Sequence, residues 1–178
     1  SALMGHLTNS RYLAATALGG SILVFIAYLF SFLRMSTTGT IAQHYAKKEW
    51  DLISLWVSKS LLFCVVISLS IFLLQQPIKQ LFLFFSGELP NVTALLNDYY
   101  RIGIYALFFV LINYVFLGFF IGIQKTYLGL IMSLAQTSLS ILFSVFFVIG
   151  LHKDVGGIAI SLLLSEALSS CLGLYYVI

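Results

Sequence analysis

Ionisable side chains divide this chain into long uncharged runs. No acid or base of the Asp, Glu, Lys or Arg type occurs over residues 12–33, 60–78, 102–124 or 126–151, and the run 155–178 is interrupted only by Glu166. A helix rises about 1.5 Å per residue and the hydrocarbon layer is about 30 Å thick, so about 20 apolar residues suffice to cross it. The pattern predicts spanning helices near 13–38, 52–76, 99–123, 126–151 and 156–178. Strands fit badly, because a barrel strand alternates between lipid and lumen whereas 21–30 is apolar on both parities after Ser21. In lipid the backbone must satisfy its own hydrogen bonds, which leaves helices. The expected fold class is all-α: a polytopic integral membrane protein with five transmembrane helices.

Composition points the same way. The chain is 61% hydrophobic and 8% charged, with mean hydropathy +1.05, whereas a soluble domain carries about 25% charged residues. Those few charges cannot cover a water-facing surface of this size, so lipid is the expected solvent for much of it. The first residue is Ser1 and the first methionine is Met4, and the last span reaches Ile178 without a polar flank. Both ends read as those of a fragment. The first apolar run is longer than a secretory signal core and lacks a basic leader.

Orientation rests on lysine and arginine in the short loops. Arg34, Lys47, Lys48 and Lys125 fall on one side, and Arg11, Lys79, Arg101 and Lys153 on the other. Lys59, about two turns inside the second span, tips this tie towards a cytoplasmic 34–51 loop. The longest connection, 75–98, has Pro77 ending the second span, a short surface helix over 78–85 stopped at Ser86-Gly87, and Asn91 as a helix cap. Asn91-Val-Thr93 also matches a glycosylation sequon, with the cap the preferred reading.

Catalytic and metal chemistries find no support. Cys64 and Cys171 lie inside spans without ligand-type neighbours, and His6, His44 and His152 are isolated near loops. No phosphate-binding glycine loop, zinc-protease or serine-hydrolase motif is present, and the six acids are scattered. The chain is not expected to be an enzyme, to bind nucleic acid or to hold a cofactor.

What remains informative is polarity inside the spans. Glu166 sits midway along the fifth, flanked by Ser161, Ser165, Ser169 and Ser170. A carboxylate facing lipid there costs about 2.5 kcal/mol or more, so it should face the bundle, as part of a transport path or as a structural hydrogen-bond partner. Ser133, Gln136, Ser140 and Ser144 share one face of the fourth span, lining a path or packing against a helix. Asn113 in the third span needs partners. Arg34 either snorkels to the interface or borders a thin ribbon, 36–40, whose hydroxyls and Gly39 let a helix or solute come close, with Gln43 facing the same way. Glu166, Ser144, Ser140, Gln136, Asn113, Gln43 and Arg34 are therefore the candidates for a substrate or coupling-ion pathway. The run Lys47-Lys-Glu-Trp-Asp51 reads as a solvated turn.

Several runs together carry a resemblance. Met4-Gly-His-Leu7, Arg34-Met-Ser-Thr-Thr-Gly39 with Ala42-Gln43, Tyr100-Arg-Ile102, Gly118-x-x-x-Gly122-x-Gln124 and Gly150-Leu-His152 resemble the multidrug and toxic compound extrusion family, at near-regular spacing over the whole chain. The resemblance implies a transporter of twelve helices in two six-helix lobes, exchanging organic, often cationic, compounds for protons or sodium ions. This chain would cover helices two to six of the first lobe, leaving a first helix and a second lobe outside it. The family's coupling acid in helix one would lie at or before Ser1. A second acid and an asparagine in helix five match Ser144 and Ser140 here, and neither serine can carry a proton charge. Coupling would then rest on the upstream acid, assisted by Glu166.

The resulting expectation is secondary active efflux by alternating access across a bacterial inner membrane, with H+ or Na+ as the coupling ion. An aromatic content of 16% suits flat lipophilic cations through stacking and cation–π contact. Two alternatives stay open: a flippase for lipid-linked sugars or another amphiphile, which would need a basic cavity, and a membrane scaffold subunit that transports nothing.

Overall fold

The computed structural model of the protein describes residues 10–86, 90–150 and 155–177. Among them the chain runs as α1 (Ser10–Leu29), α2 (Phe32–Ala46), α3 (Trp50–Leu73), α4 (Gln75–Ser86), α5 (Pro90–Gly122), α6 (Thr126–Val145), a π-helical turn (Phe146–Gly150) and α7 (Val155–Val177). Five stretches are long and apolar enough to cross a membrane, with α1 and α2 together forming the first of them, Ala14–Ala46. The Met4–Leu7 run, His6 and His152 lie outside the described residues.

The charge gaps located the spans, but not their ends. The first span continues to Ala46 rather than stopping near 38, and α5 starts at Pro90 rather than near 99. Charges set where a helix leaves lipid, whereas only backbone chemistry stops it, and over 39–46 there is no proline and the one glycine, Gly39, is too weak a breaker to end the helix. Pro77 does not end a span. α3 finishes at Leu73, and Pro77 sits in the first turn of α4, where its missing N–H costs nothing. Asn91 likewise lies inside the first turn of α5, behind Pro90 as the first helical residue, and is not the cap. The expected surface helix is present as α4. Its Ile78 and Leu83 pack on the core, while Lys79 donates to Asn97 at 3.0 Å and the Tyr100 hydroxyl donates to the Gln75 carbonyl at 2.9 Å.

Two turns use the same device. After α2, Lys48 takes φ 59°, its N–H bonds to Tyr45 O, and the Glu49 N–H reaches His44 O. After α5, Gln124 takes φ 62°, with matching bonds from Gln124 to Ile121 and from Lys125 to Phe120. These are Schellman closures that hold a non-glycine residue in the left-handed region. Between α1 and α2 the N–H groups of Phe30, Ser31, Leu33 and Arg34 each bond three residues back, so the ladder tightens there without proline or glycine.

α5 is the central helix and packs against α1, α2, α3, α6 and α7. One core cluster joins α1, α3, α5 and α7 around Ile26, Leu107 and Leu111. A second joins α2, α3, α5 and α6 around Ile41, Val57, Phe120 and Met132. Close approach to α2 depends on α5. A Cβ on Gly118 would lie 2.8 Å from Arg34 O, and one on Gly122 would lie 2.8 Å from the Ile41 side chain. Of the expected thin ribbon on α2, Thr37 is buried in the seam beside Ile41, and Gly39 faces open space with nothing within 4 Å. Outward faces carry exposed Phe25, Leu62 and Leu130, as a lipid-facing surface should.

Candidate functional site

The polar residues of α7 fall on one stripe. Ser161, Ser165 and Ser169 repeat every four residues, Glu166 and Ser170 run beside them, and all five are buried. Small side chains at this spacing let α7 approach α5 and α6 closely. Glu166 is left only 8% exposed, in the middle of the bundle rather than in lipid.

Both carboxylate oxygens of Glu166 are held. Asn113 on α5 donates Nδ2 to Oε2 at 2.7 Å and also to the Glu166 backbone carbonyl at 3.2 Å. Gln136 on α6 donates Nε2 to Oε1 at 2.8 Å. The Ser170 hydroxyl lies 3.1 Å from Asn113 Oδ1 and 2.9 Å from Glu166 O. One acid thus ties three helices together, and no buried side-chain polar atom among the described residues lacks a partner. A carboxylate offers about four acceptor positions. The two amides use two of them, which leaves capacity for a proton, a water or a cation.

That capacity has access to space. A cavity of about 170 Å³ is lined by Asn113, Leu117, Ser133, Gln136 and Ser169. Another, of about 300 Å³, is lined by Leu23, Tyr28, Ala106, Leu107 and Leu162. Val110, Tyr114 and Glu166 border both. The carboxylate therefore stands on the common wall of a smaller chamber that also carries Asn113, Gln136 and two serines and a larger one that carries Tyr28 and Tyr114.

The candidates named from sequence separate into groups. Glu166, Asn113 and Gln136 come together. Ser144 pairs with Ser161 across α6 and α7 at 2.8 Å, just before the π-helical turn, so this part of the stripe meets a neighbouring helix. Ser140, one turn before Ser144 on α6, is half-buried. Arg34 and Gln43 are exposed on α2 and line neither chamber. Tyr28 and Tyr114 were not singled out beforehand; two tyrosines among ten carry no positional signal. A signal did exist for the central triad, since three buried polar groups in separate spans must find one another or remain unpaired. Elsewhere, Cys64 is buried and donates to Leu111 O at 3.4 Å, so it acts as a small packing residue, and no cluster of metal-ligating residues occurs among the described residues.

Comparison with known proteins places this geometry in a wider context. Residues 1–146 match the MatE family model. DNA damage-inducible protein F of Escherichia coli (strain K12) is 32% identical over 176 residues, covering 99% of this chain and 38% of that protein. The inward-facing conformation of a multidrug resistance MATE family transporter of the MOP superfamily superposes with TM-score 0.80 at 20% identity, covering 95% of this chain and 42% of that one. An outward-facing conformation of such a transporter gives 0.82 at 22% identity, over 93% and 37%. The chain thus spans about two fifths of the length of the proteins it matches.

Proposed function

The chain belongs to the MatE family, and on that premise we propose that it forms part of a secondary active transporter that exports organic, often cationic, compounds in exchange for H+ or Na+ by alternating access. The observation that carries this reading is the position of Glu166: an acid inside the bundle, held by amides from two other helices and facing two chambers. Intramembrane acids are costly and are used where ions or protons pass.

The exchange would work as follows. With Glu166 ionised, the Asn113 and Gln136 amides direct their N–H groups at it and hold α5, α6 and α7 together. A proton or cation arriving from the smaller chamber neutralises the carboxylate and weakens both bonds. It also removes the charge that attracts an organic cation in the larger chamber between Tyr28 and Tyr114. Ion and substrate then compete for one acid, which is the requirement for exchange, and the ion gradient supplies the difference in free energy. Similar superposition on inward-facing and outward-facing relatives supports a unit that moves largely as a rigid body. A second lobe outside this chain, a bacterial inner-membrane location and a cytoplasmic α2–α3 turn belong to the same proposal.

Ser144 lies where the family resemblance expects an acid and bonds to Ser161 instead, so Glu166 takes the coupling role within this chain, alongside any upstream acid. The test is reconstitution of the full-length protein in vesicles with an imposed proton or sodium gradient and a fluorescent organic cation. Gradient-dependent dye movement is expected; none across a range of dyes and both ions would reject the reading.

A further inference from the structure

The groove between α2 and α3 contains a lysine, Lys59, that forms no ion pair among the described residues. Lys59 lies nine residues after Trp50, about 13 Å along the axis from the start of α3 at 1.5 Å per residue. Side chains lean towards a helix N-terminus, and the Lys59 ammonium rests 5.0 Å from the centre of the Trp56 ring, on the side of the α2–α3 turn. The groove beside it holds about 280 Å³ and is lined by the hydroxyl residues Ser36, Thr37 and Ser60 and the rings of Phe32 and Phe63. It shares no lining residue with the chambers around Glu166.

We infer that this groove binds the phosphate of an anionic phospholipid from the leaflet on the α2–α3 side. A lysine inside a span needs an anion or the interface. The acids at this end do not supply one. Glu49 is taken by His44 at 2.7 Å, and Asp51, two turns ahead of Lys59 in the first turn of α3, makes no ion pair with it. Lys47 and Lys48, exposed in the turn, add positive charge on the same side. Trp50 and Trp56 are 57% and 39% exposed, and tryptophans at this position mark the headgroup level. A phosphate between Lys59 and the Ser36 and Ser60 hydroxyls would leave its acyl chains along Phe32 and Phe63. The arrangement therefore matches a lipid, with charge at one end and grease at the other, better than a free ion.

The experiment extracts the full-length protein from vesicles of mixed phosphatidylcholine and phosphatidylglycerol and counts retained lipids by native mass spectrometry. The wild type should retain phosphatidylglycerol in preference. Lys59→Gln should lower that preference about fivefold, the weight of one cation facing an anionic lipid. Lys59→Arg should keep it, and Lys125→Gln at the α5–α6 turn should leave it unchanged. Equal retention of the two lipids by the wild type, or an undiminished preference in Lys59→Gln, would overturn the assignment. Displacement of the lipid by millimolar inorganic phosphate would also overturn it, in favour of a free-anion site.

Discussion

Asn113 on α5 donates one amide group to both the side chain and the backbone of Glu166 on α7, at 2.7 and 3.2 Å, while its own oxygen lies 3.1 Å from the Ser170 hydroxyl. That orientation is set by Glu166, since a reversed amide would turn Oδ1 towards the carboxylate and carbonyl oxygens, which can only accept. The consequence is a directional environment that favours an acceptor at position 166.

Glu166→Gln tests this directly. One face of the new amide would point an N–H at an N–H of Asn113 or Gln136, leaving a buried donor unpaired. The expected result is a loss of about 1–3 kcal/mol in stability, read from thermal unfolding in detergent, together with loss of gradient-driven dye transport. Unchanged transport would remove Glu166 from the exchange cycle.

Asn113→Leu removes the amide and leaves the carboxylate with Gln136 as its one side-chain partner, while Ser170 keeps the Glu166 backbone carbonyl as its acceptor. A loss of about 1–3 kcal/mol is expected, larger than for Ser144→Ala, which breaks a single hydroxyl pair with Ser161. Comparing the two melting temperatures checks the ranking.

Two helical glycines should respond in opposite directions. Gly118→Ala places a methyl 2.8 Å from the Arg34 carbonyl, so α2 must move away from α5, at an expected cost of about 1–3 kcal/mol. Gly39→Ala meets nothing within 4 Å and should be neutral or stabilising by up to about 1 kcal/mol. Thermal unfolding of the pair measures the contrast.

Lys48→Gly addresses the Schellman turn after α2. Lys48 occupies φ 59°, where a Cβ is unfavourable, and its side chain is exposed. Relief of that strain should raise stability by about 1 kcal/mol. A melting temperature that falls would mean that the lysine side chain contributes more than its backbone costs.

How much was legible beforehand varied with the kind of signal. The gaps between charges located all five spans because lipid excludes ionised groups over a fixed thickness, a property of the chain alone. Glu166 stood out for the same reason. The ends of α2 and α5 were missed, since helices run on past the membrane boundary until a turn such as the one at Lys48 stops them. Within this chain the close approach to α2 is made by Gly118 and Gly122 of α5, because the contact needs a glycine on only one side of the seam, and Gly39 faces open space.

Periodicity and composition alone therefore established that this chain crosses a membrane as helices and that a few hydrophilic side chains must turn inward. Which of those side chains meet was decided by the packing of α5 between its neighbours. That packing rotates Asn113 towards α7, aligns Gln136 with it, and leaves Arg34 and Gln43 outside. Pairing between separate helices depends on their rotation and crossing, which arise from many small contacts distributed over the whole bundle, and no local stretch of sequence encodes them.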